Sequence, residues 1–273
     1  MSVHKDASGR RSVQVEVEVP GTPEQVWQAI ASGPGISSWF VPSEVDGRVG
    51  GSIVHHFGPG MDSSKTITNW DPPHRVSAEG AGIGPGMPPM ATEWTVEARA
   101  GGTCIVRVVH SLFASTDDWD KQLESVESGW PAIFLVLHLY LSRFAGQECS
   151  GFNVMGFTPG PVSRAWLALT DALGLTGVAV GNSWTSRAGV PRLAGRVERL
   201  RDGEKPYALL LVKEPAPAAV MLSANSMGGQ VYIPMMFYFY GGGAATAATR
   251  DEPLWRSWMN EHVAPGAGAG SGG

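Results

Sequence analysis

One stretch of the 273-residue chain gathers side chains that could do chemistry: VRVVHSLFASTDDWD, from Val106 to Asp120. His110 closes a run of valines, and Asp117, Asp118 and Asp120 follow around Trp119. A histidine titrates near neutrality, so on a cavity wall His110 could anchor a ligand or act as general acid or base. Bonded to a backbone group or a carboxylate, it would only fix a strand-to-helix corner. With no partner motif beside it, this structural reading carries more weight. The aspartates lack the Gly and Glu spacing of a calcium loop, while acidic groups at a helix start cap free amides and offset the dipole. They are expected as helix-start residues, with no metal.

His55 and His56 are adjacent. Successive strand residues point to opposite faces, so the two cannot converge on one metal, although one of them can enter a cavity. The aromatic residues Trp39, Phe40, Phe57, Trp70, Trp94, Phe113, Trp119, Trp130 and Phe134 could line an apolar pocket with a few polar tips. Any one of them could equally fill a core. GAGIGPGMPP, Gly80 to Pro89, holds Gly82 and Gly84 but no Lys-Ser/Thr pair, so a loop over a cavity mouth is expected, not a nucleotide site. GQECSG, Gly146 to Gly151, lacks the order of a nucleophile elbow. No cofactor is expected.

These residues need elements to position them. SVQVEVEVP, from Ser12, alternates four valines with Gln14, Glu16 and Glu18, the pattern of a half-buried strand. TPEQVWQAIAS then starts a helix, with Thr22 as cap, Pro23 in first position and Gln25 completing a capping box. GISSWF, Gly35 to Phe40, reads as a second short helix or turn. From Ser43 to Phe113 the pairs Asp46-Gly47, Gly50-Gly51, Pro72-Pro73 and Gly101-Gly102 separate strands. In CIVRVVHSLF the phase of Cys104, Val106, Val108, His110 and Leu112 opposes Arg107 and Ser111, which puts Val108 and His110 on the inner face of a sheet. Trp119, Leu123, Val126, Trp130, Phe134, Leu137, Leu141 and Phe144 recur at steps of three and four, a long helix in which Pro131 predicts a kink or break. One curved sheet wrapped on one long helix is the natural packing.

The second half repeats the order. GFTPGPVSRAW echoes VPGTPEQVWQAI, VERLRDGEKPYALLLV is a hairpin turning at Asp202-Gly203, and AVMLSANS and QVYIPMMFYFY are strands. DEPLWRSWMNEHV, with Leu254, Trp255, Trp258 and Met259, is a final helix. A divergent duplication would produce this. QVYIPMMFYFY is apolar on both faces and would be buried on both sides, between the halves or between subunits of a homodimer.

Composition bounds the function. A net charge of -5 argues against nucleic-acid binding, and no apolar run is long enough to span a membrane. Cys104 and Cys149 fit neither a disulfide framework nor a zinc site, and MSVHKDASGRRS has no apolar run behind it, so a cytoplasmic protein without signal peptide is expected. The end, PGAGAGSGG, reads as a disordered tail.

With VEVEVPGTPEQVWQAIA, SSWFVP, VGGSIVHHFGPG, WDPPHRVSAEG and GGTCIVRVVHSLFASTDDWDKQLESVESGWPAIFLVLHLYL in view, the first half resembles the START-like (SRPBCC) superfamily. Within it, the resemblance is to the group related to the C-terminal domain of the activator of Hsp90 ATPase, whose bacterial members often carry a stress-response label. The resemblance covers residues 12–145; over 151–263 only the order of elements suggests it. It implies an α+β helix-grip fold, an antiparallel sheet curled around a long C-terminal helix, in two tandem copies. The expected domains are a flexible N-terminus (1–11), a START-like domain (12–145), a divergent second one (146–263) and the tail (264–273). The superfamily implies a non-enzymatic binder of a hydrophobic small molecule or lipid, in a cavity lined by Trp39, Phe40, His55, Phe57, Trp70, Trp94, Val108, His110, Trp119, Trp130 and Phe134. The alternative is a metal-free polyketide cyclase or dehydratase using a cavity histidine. An Hsp90-like chaperone partner is not expected.

Overall fold

The computed structural model describes residues 3–58, 62–81, 88–113, 119–227 and 229–263. The chain divides into two compact units, Met1–Gly146 and Gln147–Gly273.

The first unit runs β1 (His4–Lys5), β2 (Arg10–Pro20), α1 (Pro23–Ala31), α2 (Gly33–Ser37), β3 (Ser43–Val45), β4 (Ser52–His56), β5 (Asp62–Asp71), β6 (Arg75–Gly80), β7 (Met90–Arg99), β8 (Thr103–Phe113) and α3 (Asp120–Arg143). Its strands form one antiparallel sheet in the order β1-β2-β8-β7-β6-β5-β4-β3, so the first long strand, β2, pairs with the last, β8. The capping box at α1 forms as its sequence dictates: the Gln25 amide donates to Thr22 Oγ1, and the Thr22 amide donates to Gln25 Oε1. The β7–β8 turn needs positive φ at successive residues, which Gly101 (90°) and Gly102 (79°) supply without steric cost. The inner face of β8 is Cys104, Val106, Val108, His110 and Leu112, all buried, and α3 packs against β2.

Two expectations for this unit change. The N-terminus is not free up to residue 11: β2 begins at Arg10, and His4 and Lys5 pair with Ser12 and Arg11. The reason is Arg11, which is 3% exposed and bonded to both carboxylate oxygens of Asp120 at 2.6 and 2.7 Å, tying β2 to the start of α3. Pro131 does not break the helix; α3 is continuous over 24 residues. Pro131 has no N–H to give the Glu127 carbonyl, and the buried side chains Leu123, Trp130, Phe134 and Leu137 hold the helix to the sheet across that gap. Asp117, Asp118 and most of the Gly80–Pro89 segment lie outside the described residues, as does the Gly/Ala/Ser tail.

The second unit runs β9 (Cys149–Thr158), α4 (Val162–Leu173), β10 (Ser183–Thr185), β11 (Ala194–Arg201), β12 (Tyr207–Glu214), β13 (Ala218–Ser223), β14 (Asn225–Met227), β15 (Gln230–Tyr240) and α5 (Ala244–His262). Its antiparallel sheet is ordered β10-β11-β12-β13-β15, with β9 and β14 also on β15. Here the opening strand pairs with the closing strand, and a helix follows. α5 packs on β9, and Phe152, Phe237, Phe239, Trp255 and Trp258 fill the core. This helix starts at Ala244, earlier than the sequence pattern DEPLWRSWMNEHV implies, because Ala244, Ala247 and Ala248 are good helix formers with buried faces. β15 is buried on both faces, Tyr238 and Tyr240 included. Each unit is thus α+β, an antiparallel sheet followed by a C-terminal helix.

Candidate functional site

The first unit's interior is an aromatic cluster crossed by polar side chains. Trp130, on the inner face of α3, is its centre. Its ring stacks on His110 (5.6 Å between centroids, 15° between planes), meets Trp94 edge-on at 5.1 Å, and lies 5.4 Å from Phe40 and 5.3 Å from Phe134. Phe40 extends the cluster to His55 and Phe57, and Trp94 extends it to Trp39. Eight of the candidate cavity residues therefore come together, and Val108 joins them from the strand position paired with Trp94.

Two do not. Trp70 packs edge-on against Trp27, and Trp119 lies with Val13, Leu112 and Leu123 at the start of α3. Trp39 contributes a ring but no polar tip, since its indole N–H donates to the Ala29 carbonyl at 2.8 Å. The adjacent histidines split as strand geometry requires. His55 faces the rings and bonds Ser43 Oγ at 2.8 Å, while His56 lies beside Asp62 and Glu44.

Sequence reasoning missed the polar chain that reaches His110. Lys65 on β5 and Thr92 on β7 are both buried, and Lys65 Nζ bonds Thr92 Oγ1. Thr92 Oγ1 lies 3.0 Å from His110 Nδ1, and the Trp130 indole N–H donates to His110 Nε2 at 2.8 Å. The strand between is thin: Gly80 pairs with Lys65 and Ala78 with Thr92. A Cβ on Gly80 would fall 3.0 Å from Lys65 Cγ and 2.4 Å from the Ser64 carbonyl oxygen, so glycine lets the lysine chain cross.

These contacts fix the proton positions. An indole N–H only donates, so His110 Nε2 must be the bare nitrogen. The neutral ring then carries its hydrogen on Nδ1 and donates it to Thr92 Oγ1. Lys65 Nζ donates to the same Thr92 Oγ1, so the hydroxyl oxygen accepts from both the histidine and the lysine.

Burial, then the neighbouring Lys65, pushes His110 down to about 3. Burial, then Lys65 and His56, pushes His55 down to about 4. Burial alone pushes Lys65 down to about 8, so near that pH half the molecules hold the free amine. Both histidines are neutral at physiological pH; the group poised to exchange a proton there is Lys65.

Glu127 adds a carboxylate. It is buried one turn before Trp130, sharing the inward phase of Leu123, Trp130 and Phe134, and its Oε2 has no hydrogen-bond partner among the described residues. The only hint of either residue in the sequence was phase: Lys65 alternates with Ile67, and Glu127 falls on the apolar stripe of α3. Among the described residues, no three His, Cys, Asp or Glu side chains are grouped to hold a metal.

The second unit carries a separate groove of about 710 Å³, lined by Val162, Trp166, Leu167, Thr170, Leu200 and Asp202 among others. The Trp166 indole N–H donates to Asp202 Oδ1 at 2.8 Å across it. The sequence had marked Asp202 as a turn residue and Trp166 as part of a helix start, and neither as part of a site.

Comparison with known proteins finds likenesses, most of them to the first half of the chain. Nothing matches among curated proteins. Of solved structures, CalU16 from Micromonospora echinospora is 20% identical, covering 52% of this chain and 83% of its own, with a TM-score of 0.42. The Aha1 dimer from Colwellia psychrerythraea is 22% identical over 48% of this chain and 96% of its own, with a TM-score of 0.41. The di-domain ARO/CYC BexL from the BE-7585A biosynthetic pathway is 14% identical over 93% of this chain and 98% of its own, with a TM-score of 0.45. Residues 10–131, which run from β2 into α3 and include Lys65, Thr92, His110, Glu127 and Trp130, match the family described as polyketide cyclase / dehydrase and lipid transport, of the START-like superfamily.

Proposed function

We propose that the first unit binds an apolar, oxygen-bearing small molecule between its sheet and α3. The observation that carries this reading is Glu127 Oε2, a buried carboxylate oxygen with no hydrogen-bond partner among the described residues, on a helix face otherwise given to aromatic and aliphatic side chains. Such an oxygen costs about 1–3 kcal/mol or more to leave unpaired, and a ligand hydroxyl or enol would satisfy it. The ring cluster suits a flat apolar body, and Lys65 suits a carbonyl or enolate oxygen. The family match over residues 10–131 supports a ligand of polyketide or lipid type. The resemblance of β8 and α3 to the Hsp90-activator group is read as kinship, with no chaperone as partner. The second unit is read as a divergent copy of the first.

Native mass spectrometry of the chain purified from its own host, followed by organic extraction, tests this. A recoverable apolar molecule with hydroxyl or carbonyl groups is expected. A ligand-free chain that also fails to bind aromatic ketones in equilibrium dialysis contradicts it.

A cyclase or dehydratase activity is the second reading, favoured by one observation: the interior holds a group that titrates near pH 8. The base would then be Lys65. His110 is unsuited, because its Nε2 is engaged by Trp130 and its ring resists protonation until about 3.

A further inference from the structure

Lys65 lacks what keeps a buried lysine inert. Its single hydrogen bond goes to Thr92, and it forms no ion pair among the described residues. A lysine that serves only structure usually has a carboxylate at Nζ or water around it. Here Nζ donates to the Thr92 hydroxyl oxygen, behind which stands the neutral His110 ring, so no anion holds the group as an ammonium.

We propose that Lys65 forms an imine through Nζ with an aldehyde or ketone carbonyl of the molecule held in this interior. The inference rests on the reading of the interior as a binding site. The Nζ lone pair attacks the carbonyl carbon, and the C=O π pair moves to oxygen. One amine proton passes to that oxygen, giving a carbinolamine. Loss of the second amine proton and of hydroxide, together one water, leaves the C=N bond, with no oxidant or reductant consumed. The Thr92 hydroxyl, bonded to Nζ, is placed to relay these protons, and the His110 Nδ1–H behind it holds the hydroxyl in orientation. The buried setting slows the return of water, so the imine persists.

The test is reductive trapping on the full chain. The protein is incubated with 2-naphthaldehyde near neutral pH and treated with sodium cyanoborohydride, then intact mass and peptide mapping are read. Expected is one adduct, heavier by the probe's mass less one oxygen atom, mapped to Lys65. It should exceed labelling at any of the exposed lysines Lys5, Lys121, Lys205 and Lys213 by about ten-fold. Lys65→Met should lose this adduct. Thr92→Val should lower the rate of adduct formation and retain binding. If the unaltered chain binds the probe but Lys65 is labelled no more than the exposed lysines, the imine proposal is overturned and the binding reading stands. If the chain does not bind the probe at all and no adduct forms, both fall. Mapping on the unaltered chain decides between these outcomes whether or not the variants fold.

Discussion

At the scale of single residues, His110 reads differently once its partners are known. Its position on the inner face of β8 was legible from strand alternation, and so was the choice between an anchoring and a structural role. Its protonation state was not, because that depends on Trp130, twenty residues away on α3, and on Thr92 on the neighbouring strand. Replacing His110 by Phe would leave the Trp130 N–H without its acceptor, at a cost of about 1–3 kcal/mol in chemical denaturation. The same histidine makes the fold acid-sensitive. Unfolded, its ordinary value is 6.5; folded, it is near 3, so below 6.5 the unfolded chain binds the extra proton. The stability it contributes is present above 6.5 and is lost as pH falls toward 3, with His55 acting in the same direction down to about 4. Melting temperature should therefore drop between pH 6.5 and 4, and His110→Phe should flatten the drop relative to its own value at pH 7. Lys65 acts at the other end. Between about 8 and 10.5 the unfolded chain again holds the extra proton, so this residue adds stability as pH rises through that window.

At the scale of elements, the strongly periodic segments behave as their sequence dictates. The α1 capping box, the Gly101-Gly102 turn and the inner face of β8 are each local in origin, and local signals suffice for them. What sequence does not disclose is set by pairing between distant segments. Lys65 sits in SSKTITNWD, where Ile67 is the one other buried side chain of the strand, so no apolar alternation marks its inward face. Its burial depends on Gly80 and Ala78 in the next strand, which are small enough to let it cross. Arg11 is likewise inward only because Asp120 waits at the start of α3. The helix itself shows packing prevailing over propensity. Pro131 removes one hydrogen bond from α3, yet the helix continues. Pro131→Ala would restore an N–H for the Glu127 carbonyl. It is expected to stabilise the protein by as much as about 3 kcal/mol in urea unfolding. An unchanged midpoint would mean that the helix has already adapted its backbone to the ring.

At the scale of the whole molecule, two units share one rule: the first long strand pairs with the last strand, a meander fills the rest of the sheet, and a helix follows. Their interiors are not alike. The first unit buries Lys65, Thr92, His110 and Glu127 among its rings, whereas the second stacks Phe152, Phe237, Phe239, Trp255 and Trp258 and offers its groove beside α4 instead. The order of elements was legible in both halves; the difference between interiors was not, because it rests on which single polar side chain falls on an inward phase. The ten tryptophans give each place its own reporter. The most direct measurement is an indole N–H nuclear magnetic resonance titration of the full chain with benzoylacetone, an aromatic β-diketone. The account predicts saturable shifts of Trp130, Trp94 and Trp39, with Trp166 and Trp255 unmoved. Shifts confined to Trp166, or none at saturating probe, would contradict it.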